Sequence, residues 1–268
     1  MKKSRILPGA IFSLLVIAAA SLNAQDWVTF DGKTPTAEKL PLAGILTSPG
    51  GDGPFPAVVM LCGCGGLKKK DDAEQQASWA ERLVNWGYVT LQVDSFGPRD
   101  FDNICTKPNA VNDWLRSMDA FAAKAYLSGL SFVDSDRIGV IGWSHGGWTV
   151  MKVVDAFNRD KDCKPFQAAV AVYPLCAASF KRDTPLLILI GAKDDSMPAK
   201  LCESRMDGTL NDGKYEQKLI IYPNAHHAFD FEGMKKDENS HHFEYDPETA
   251  ADAIVQTRDF LAKYLKAK

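Results

Sequence analysis

The chain has 268 residues, 46% of them apolar, with 31 basic against 34 acidic side chains and a formal charge of −3. One α/β domain of this length can bury a large core. A mildly acidic balance without a basic stripe argues against nucleic acid as partner; the single lysine cluster, "KKK" at 68 to 70, reads as a solvated loop.

The N-terminal stretch "MKKSRILPGAIFSLLVIAAASLNAQDW" has a cationic start, an apolar run from Ile11 to Ala20 and a small residue, Ala24, before a polar segment. That is the form of a signal peptide spanning residues 1–24. The run is too short to span a bilayer comfortably, which disfavours an uncleaved anchor. No cysteine follows Ala24, which disfavours a bacterial lipid anchor. Cleavage would leave 28 basic against 34 acidic side chains, a charge of −6, in one domain over 25–268 with no stable membrane anchor and a periplasmic or secreted location. Six cysteines in an exported chain suggest disulfides.

Beyond that point, short apolar runs alternate with helical periods. "PAVVMLC" (56–62), "YVTLQVD" (88–94), "RIGVIG" (137–142), "FQAAVAVY" (166–173), "PLLILIG" (185–191) and "QKLIIYP" (217–223) are continuously apolar, as strands buried on both faces are. Residues 74–87 place Ala77, Ala80, Leu83 and Val84 on one face, with Gly87 as a stop; 109–130 and 247–268 read as helices too. The alternation predicts a mostly parallel sheet covered on both faces, with chemistry beyond the carboxyl ends of its strands.

There, Ser144 follows "RIGVIG" with Gly142 two residues before and Gly146 two after, the G-x-S-x-G spacing of a sharp strand-to-helix turn. Alone, Ser144 could merely cap the helix that starts near His145. A serine nucleophile needs a base and a group that orients the base. His145 adjoins the serine and points away from it. His241 and His242 lie in "KKDENSHHFEYD", read as a solvated loop, with metal binding the lesser alternative. His226 and His227 remain as bases, after the last strand, and Asp194 and Asp195 as acids, after "PLLILIG". Three loops at one sheet edge thus offer Ser, Asp and His in that order. Backbone N–H groups of His145 and of Cys64, in the glycine-rich "LCGCGGL", are the candidate oxyanion donors.

These stretches, with "VDSFGPR", "AAVAVYPLC" and "YPNAHHAF", resemble the dienelactone hydrolase family of α/β-hydrolases. The resemblance implies the α/β-hydrolase fold, assigns the acid to Asp194 and the base to His227, and calls for no cofactor or metal. The family's namesakes carry a cysteine where this chain has Ser144, and a glutamate where it has Gly63. The thiol-switching device is therefore absent, and the reaction implied is serine-hydrolase cleavage of a small-molecule ester or lactone. The turn "GWSHGG" also resembles those of serine esterases and prolyl-oligopeptidase-type peptidases. A small acyl- or prolyl-peptidase and a non-catalytic binding protein on the same scaffold are the alternatives. Arg99 falls near the family's arginine for a substrate carboxylate; otherwise it pairs with Asp94, Asp100 or Asp102. Cys176 and Cys202, after adjacent strands, form the first candidate disulfide, and Cys64 with Cys105 the second. Cys62 and Cys163 have no evident partner, and a Cys62/Cys64 redox site lacks the thioredoxin spacing.

Overall fold

A strand covered on both faces must be apolar at every position, and the computed structural model, which describes residues 25–157, 163–177, 181–206, 213–238 and 240–266, shows where those strands lie. The expected signal segment falls outside the described residues. In chain order the elements are β1 (Gln25–Lys33), β2 (Lys39–Thr47), β3 (Phe55–Leu61), α1 (Lys70–Asn85), β4 (Val89–Asp94), α2 (Asp113–Ser128), β5 (Val133–Trp143) and α3 (His145–Val153). β6 (Ala169–Val172), β7 (Leu186–Gly191), α4 (Ala199–Met206), β8 (Gln217–Tyr222), β9 (Lys235–Glu238), β10 (His241–Glu244) and α5 (Pro247–Leu265) follow. Every residue of β4, β6 and β7 is buried. Full burial of a Val, Leu or Ile side chain stabilises by roughly 1.5–3 kcal/mol before chain entropy is charged against it, so these strands hold the core.

Eight strands form one sheet in the order β1-β2-β4-β3-β5-β6-β7-β8. β3 through β8 run parallel, whereas β2 is antiparallel to both β1 and β4. From β3 the chain moves outward to β4; from β5 it moves the other way, to β6. The loops leaving β3 and β5 therefore diverge, and a crevice opens between them at the switch point.

Local chemistry ends the helices. Gly87, at φ 90°, closes α1, its N–H bonding the Val84 carbonyl (2.8 Å) while the Tyr88 N–H bonds that of Leu83 (3.0 Å). Asn112 and Asp246 cap α2 and α5 by accepting from the N–H groups of Leu115 and Thr249. No helix among the described residues is long and apolar enough to cross a membrane.

One expected loop is structured and another runs into a helix, Lys68 and Lys69 lying in a turn and bend as expected. Lys70 opens α1 and is not in a loop. The "KKDENSHHFEYD" stretch forms the β9–β10 hairpin, its polar strands held by cross-strand pairs such as Lys235 with Glu244 and His242 with Asp237 (both 2.8 Å). Both expected disulfides are present, Cys64–Cys105 and Cys176–Cys202; Cys62 and Cys163 lie outside them. Cys176–Cys202 ties the loop after β6 to α4 across 26 residues. Its replacement by two serines is expected to lower unfolding stability by about 3 kcal/mol, chiefly by freeing the unfolded chain. Urea unfolding of the oxidised parent and the double variant measures this.

Candidate active site

The turn after β5 is sharp because two glycines let the backbone cross itself. A Cβ at Gly146 would run into the Leu61 and Cys62 carbonyl oxygens, and one at Gly142 into the Gly146 carbonyl. Between them Ser144 is held at φ 53°, ψ −116°, a conformation that costs a non-glycine residue about 1–3 kcal/mol. Tyr173 (φ 38°) and Ala228 (φ 60°) share this positive-φ strain and line the same cavity as Ser144. Three of the six non-glycine residues at positive φ among the described residues thus lie where the loops converge.

There, His227 Nε2 lies 2.9 Å from Ser144 Oγ and His227 Nδ1 2.7 Å from Asp194 Oδ2. His227 is 3% exposed and Asp194 4%. The other oxygen of Asp194 accepts the backbone N–H groups of Ser196 (3.0 Å) and Met197 (2.7 Å). The carboxylate is thereby aimed at Nδ1, which fixes the tautomer that leaves Nε2 free to accept the serine proton. The imidazole is gripped by Tyr173 on one side (ring centroids 4.6 Å) and by Phe243 of the hairpin, edge-on at 5.3 Å. His226 and Asp195 do not join this chain. His226 faces His242 (4.5 Å between ring centroids), and Asp195 accepts the His242 N–H at 3.2 Å.

Ser144 opens into a cavity of about 520 Å³ that Gly63, Cys64, His145, Lys236 and Phe243 help to line. His145 is the first residue of α3, so its N–H is among those at a helix start with no intrahelical acceptor. The N–H of Cys64 has no protein acceptor among the described residues, while the Cys64 carbonyl accepts from Ile104 (2.8 Å) and its sulfur is held by Cys105. Gly63 leaves room beside the serine: a Cβ there would stand 3.7 Å from Ser144 Cβ and 3.5 Å from Asp72 Oδ1. Asp72, from α1, thus brings an acid near the position where the resembling family has glutamate, and burial raises its pKa.

Arg99 is the correction. It does not line the cavity; it forms a two-pronged bond to the buried Asp119 of α2 (2.9 and 2.8 Å) and donates to the Ser95 carbonyl (2.7 Å). Asp119 was not among the partners expected from neighbouring sequence. A guanidinium so engaged has no free fork for a substrate carboxylate.

Two buried networks were not legible. Behind Ser144, Arg116 donates to the Cys62 carbonyl (2.7 Å) and to His145 Nδ1 (2.8 Å), while His145 Nε2 donates to the Pro108 carbonyl (2.9 Å). The loop after β3 and the start of α3 are thereby tied together. Burial, and then the Arg116 charge, lower the His145 pKa from 6.5 to about 3, so the ring is neutral and is no rival base. Burial pushes the Cys62 thiol up to about 11, which keeps it protonated. Beneath His227, Asp230 collects Gln75, Tyr173, Trp79 and Trp143 as donors.

The His145 shift makes stability depend on pH. Between pH 6.5 and about 3 the unfolded chain takes up a proton that the folded chain refuses. The contribution is complete above pH 6.5 and lost as pH falls, at up to about 1.4 kcal/mol per pH unit. His145→Gln is expected to flatten this slope in urea titrations between about pH 7 and 4.5; a slope unchanged by the substitution would refute the assignment.

Comparison with solved structures finds the same fold in several proteins. It is 19% identical to a dienelactone hydrolase from Anabaena variabilis, covering 91% of this chain and 99% of that one, with a TM-score of 0.62. It is 18% identical to an esterase from Pyrococcus furiosus over 90% and 94% of the two chains (TM-score 0.62). It is 20% identical to dipeptidyl peptidase 4 from Porphyromonas gingivalis over 91% of this chain but 36% of the peptidase (TM-score 0.62). At such identities the likeness establishes the α/β-hydrolase fold. Comparison with curated proteins finds no match. The sequence pattern of the dienelactone hydrolase family, however, matches residues 42–265, from β2 to the last turn of α5, and the chain belongs to that family.

Proposed function

We propose that the protein is an exported serine hydrolase that cleaves carboxylic esters or lactones through an acyl-enzyme. The observation that carries this reading is the buried hydrogen-bonded chain from Ser144 through His227 to Asp194, opening on a cavity. Ser144 Oγ attacks the carbonyl carbon as His227 Nε2 takes its proton. Asp194 stabilises the imidazolium through Nδ1–H without taking that proton, and the N–H groups of His145 and Cys64 hold the oxyanion. As the tetrahedral intermediate collapses, His227 returns the proton to the leaving alkoxide, and water, deprotonated by the same histidine, then releases the acid. Each oxyanion donor is worth about 3 kcal/mol of transition-state stabilisation. Export is supported by the form of residues 1–24 and by two disulfides, which persist in oxidising compartments.

The test is labelling with a fluorophosphonate probe, followed by turnover of p-nitrophenyl acetate and butyrate beside aminoacyl-anilides. Labelling that Ser144→Ala abolishes and ester turnover well above anilide turnover are expected. Faster anilide turnover would move the reading to a peptidase, and an unlabelled protein would leave a binding function on a hydrolase scaffold.

A further inference from the structure

The β9–β10 hairpin packs on the loop that carries His227 through an isolated bridge to Phe243 and a bond from the Glu244 N–H to the His227 carbonyl (3.3 Å). At this junction one ligand atom from each of His226, His242 and Glu244 falls within 4.8 Å of the others, the only such group among the described residues. The three are half-buried, and they come from both sides of the junction, His226 from the loop and the other two from β10.

Neighbouring groups orient two of the three side chains. His242 Nδ1 is hydrogen-bonded to Asp237 at 2.8 Å, the carboxylate-to-imidazole contact that orients a metal-binding histidine and makes its other nitrogen a better donor. That other nitrogen, Nε2, points at Glu244 Oε2, 3.0 Å away. Glu244 divides its oxygens, Oε1 going to Lys235 and Oε2 to His242. His226 Nδ1 is buried with no hydrogen-bond partner, a costly state for a polar nitrogen.

We propose that His226, His242 and Glu244 form a binding site for a divalent transition-metal ion, with Zn²⁺ the best match, that clamps the hairpin onto the loop carrying His227. Two imidazoles and one carboxylate are a familiar zinc donor set, with a fourth position left for water. The ion would replace the proton shared between His242 Nε2 and Glu244 Oε2, which leaves to solvent. No reaction step passes through it; its effect is to stiffen the wall that holds Phe243 against the His227 ring.

The experiment is titration of the untagged, metal-stripped Ser144→Ala protein with zinc chloride against a chromophoric chelator, so that binding is read without catalysis. One equivalent bound is expected, together with a rise in melting temperature. His242→Ala and Glu244→Gln should each weaken binding about ten-fold or more, and Asp237→Asn, which leaves all three ligands in place, about ten-fold. Lys235→Gln removes the cation that competes for Glu244 and should tighten binding, a gain that damaged folding could not mimic. Absence of binding, or binding unchanged in His242→Ala and Lys235→Gln, would overturn the proposal and leave the reading of Ser144 untouched.

Discussion

Replacing Ser144 by alanine is expected to lower kcat for an activated ester by on the order of 10⁴- to 10⁶-fold, the loss seen when a hydrolase loses the nucleophile of a hydrogen-bonded unit. The fold should survive, because alanine keeps a Cβ at φ 53° and neither adds nor relieves strain. Ser144→Gly, equally inactive, should instead gain about 1 kcal/mol of stability by relieving it. His227→Ala should cost about as much activity as Ser144→Ala, and the double variant little more, since the residues act as a unit. His226→Ala should retain most of the turnover, for its ring faces His242 and not the serine. Steady-state kinetics on p-nitrophenyl acetate, with melting curves beside them, decide the matter. A Ser144→Ala protein retaining a tenth of the parent rate, or a larger loss in His226→Ala than in His227→Ala, would end the assignment.

The placement of these residues was legible because the physics that makes the sheet is local. β3 to β7 announce themselves as apolar runs with long buried stretches, β8 as a shorter one at the half-buried sheet edge, and the segment after each run must fall at one edge of a parallel sheet. Ser144, Asp194 and His227 sit on such segments, so chain order predicted their proximity. Choosing between Asp194 and Asp195 required the family pattern, since adjacent residues differ only in direction: Asp194 is turned by two backbone N–H groups, while Asp195 reaches the hairpin. Four strands escaped notice: β2, whose apolar run is broken by Pro41 and Gly44, and three polar ones. β1 lies at the sheet edge with most of its residues exposed. β9 and β10 carry no buried apolar stripe; ion pairs and the bridge to His227 hold them. The partner of Arg99 was missed because Asp119 lies 20 residues away on α2, outside any window of neighbouring acids.

Asp230 was illegible for the same reason, and its loss is expected to have the second largest effect. Its Oδ1 accepts from Gln75 Nε2 (3.0 Å) and the Tyr173 hydroxyl (2.8 Å), its Oδ2 from the indoles of Trp79 (2.8 Å) and Trp143 (3.0 Å). Burial raises the Asp230 pKa, while the hydrogen bonds from Tyr173, Trp79 and Trp143 pull it back down. Each arm of the carboxylate faces two donors, so asparagine is a poor replacement: an amide –NH₂ in place of Oδ2 leaves two indole N–H groups without an acceptor, and one in place of Oδ1 leaves Gln75 Nε2 only the Tyr173 hydroxyl (2.7 Å). An unsatisfied buried donor costs about 1–3 kcal/mol, so Asp230→Asn is expected to destabilise by about 2–4 kcal/mol despite its matching shape. The damage should reach the site through one contact. Tyr173 donates to Asp230 and lays its ring against His227, so loss of the network frees the wall behind that imidazole. Tyr173→Phe removes one donor and keeps the ring; it should therefore cost less stability and leave kcat close to the parent. Denaturant unfolding and ester kinetics on both variants separate the two effects. An Asp230→Asn protein as stable as the parent would show that the four donors find other acceptors, and a Tyr173→Phe protein with the larger loss in kcat would place the hydroxyl, and not the ring, at the root of the support.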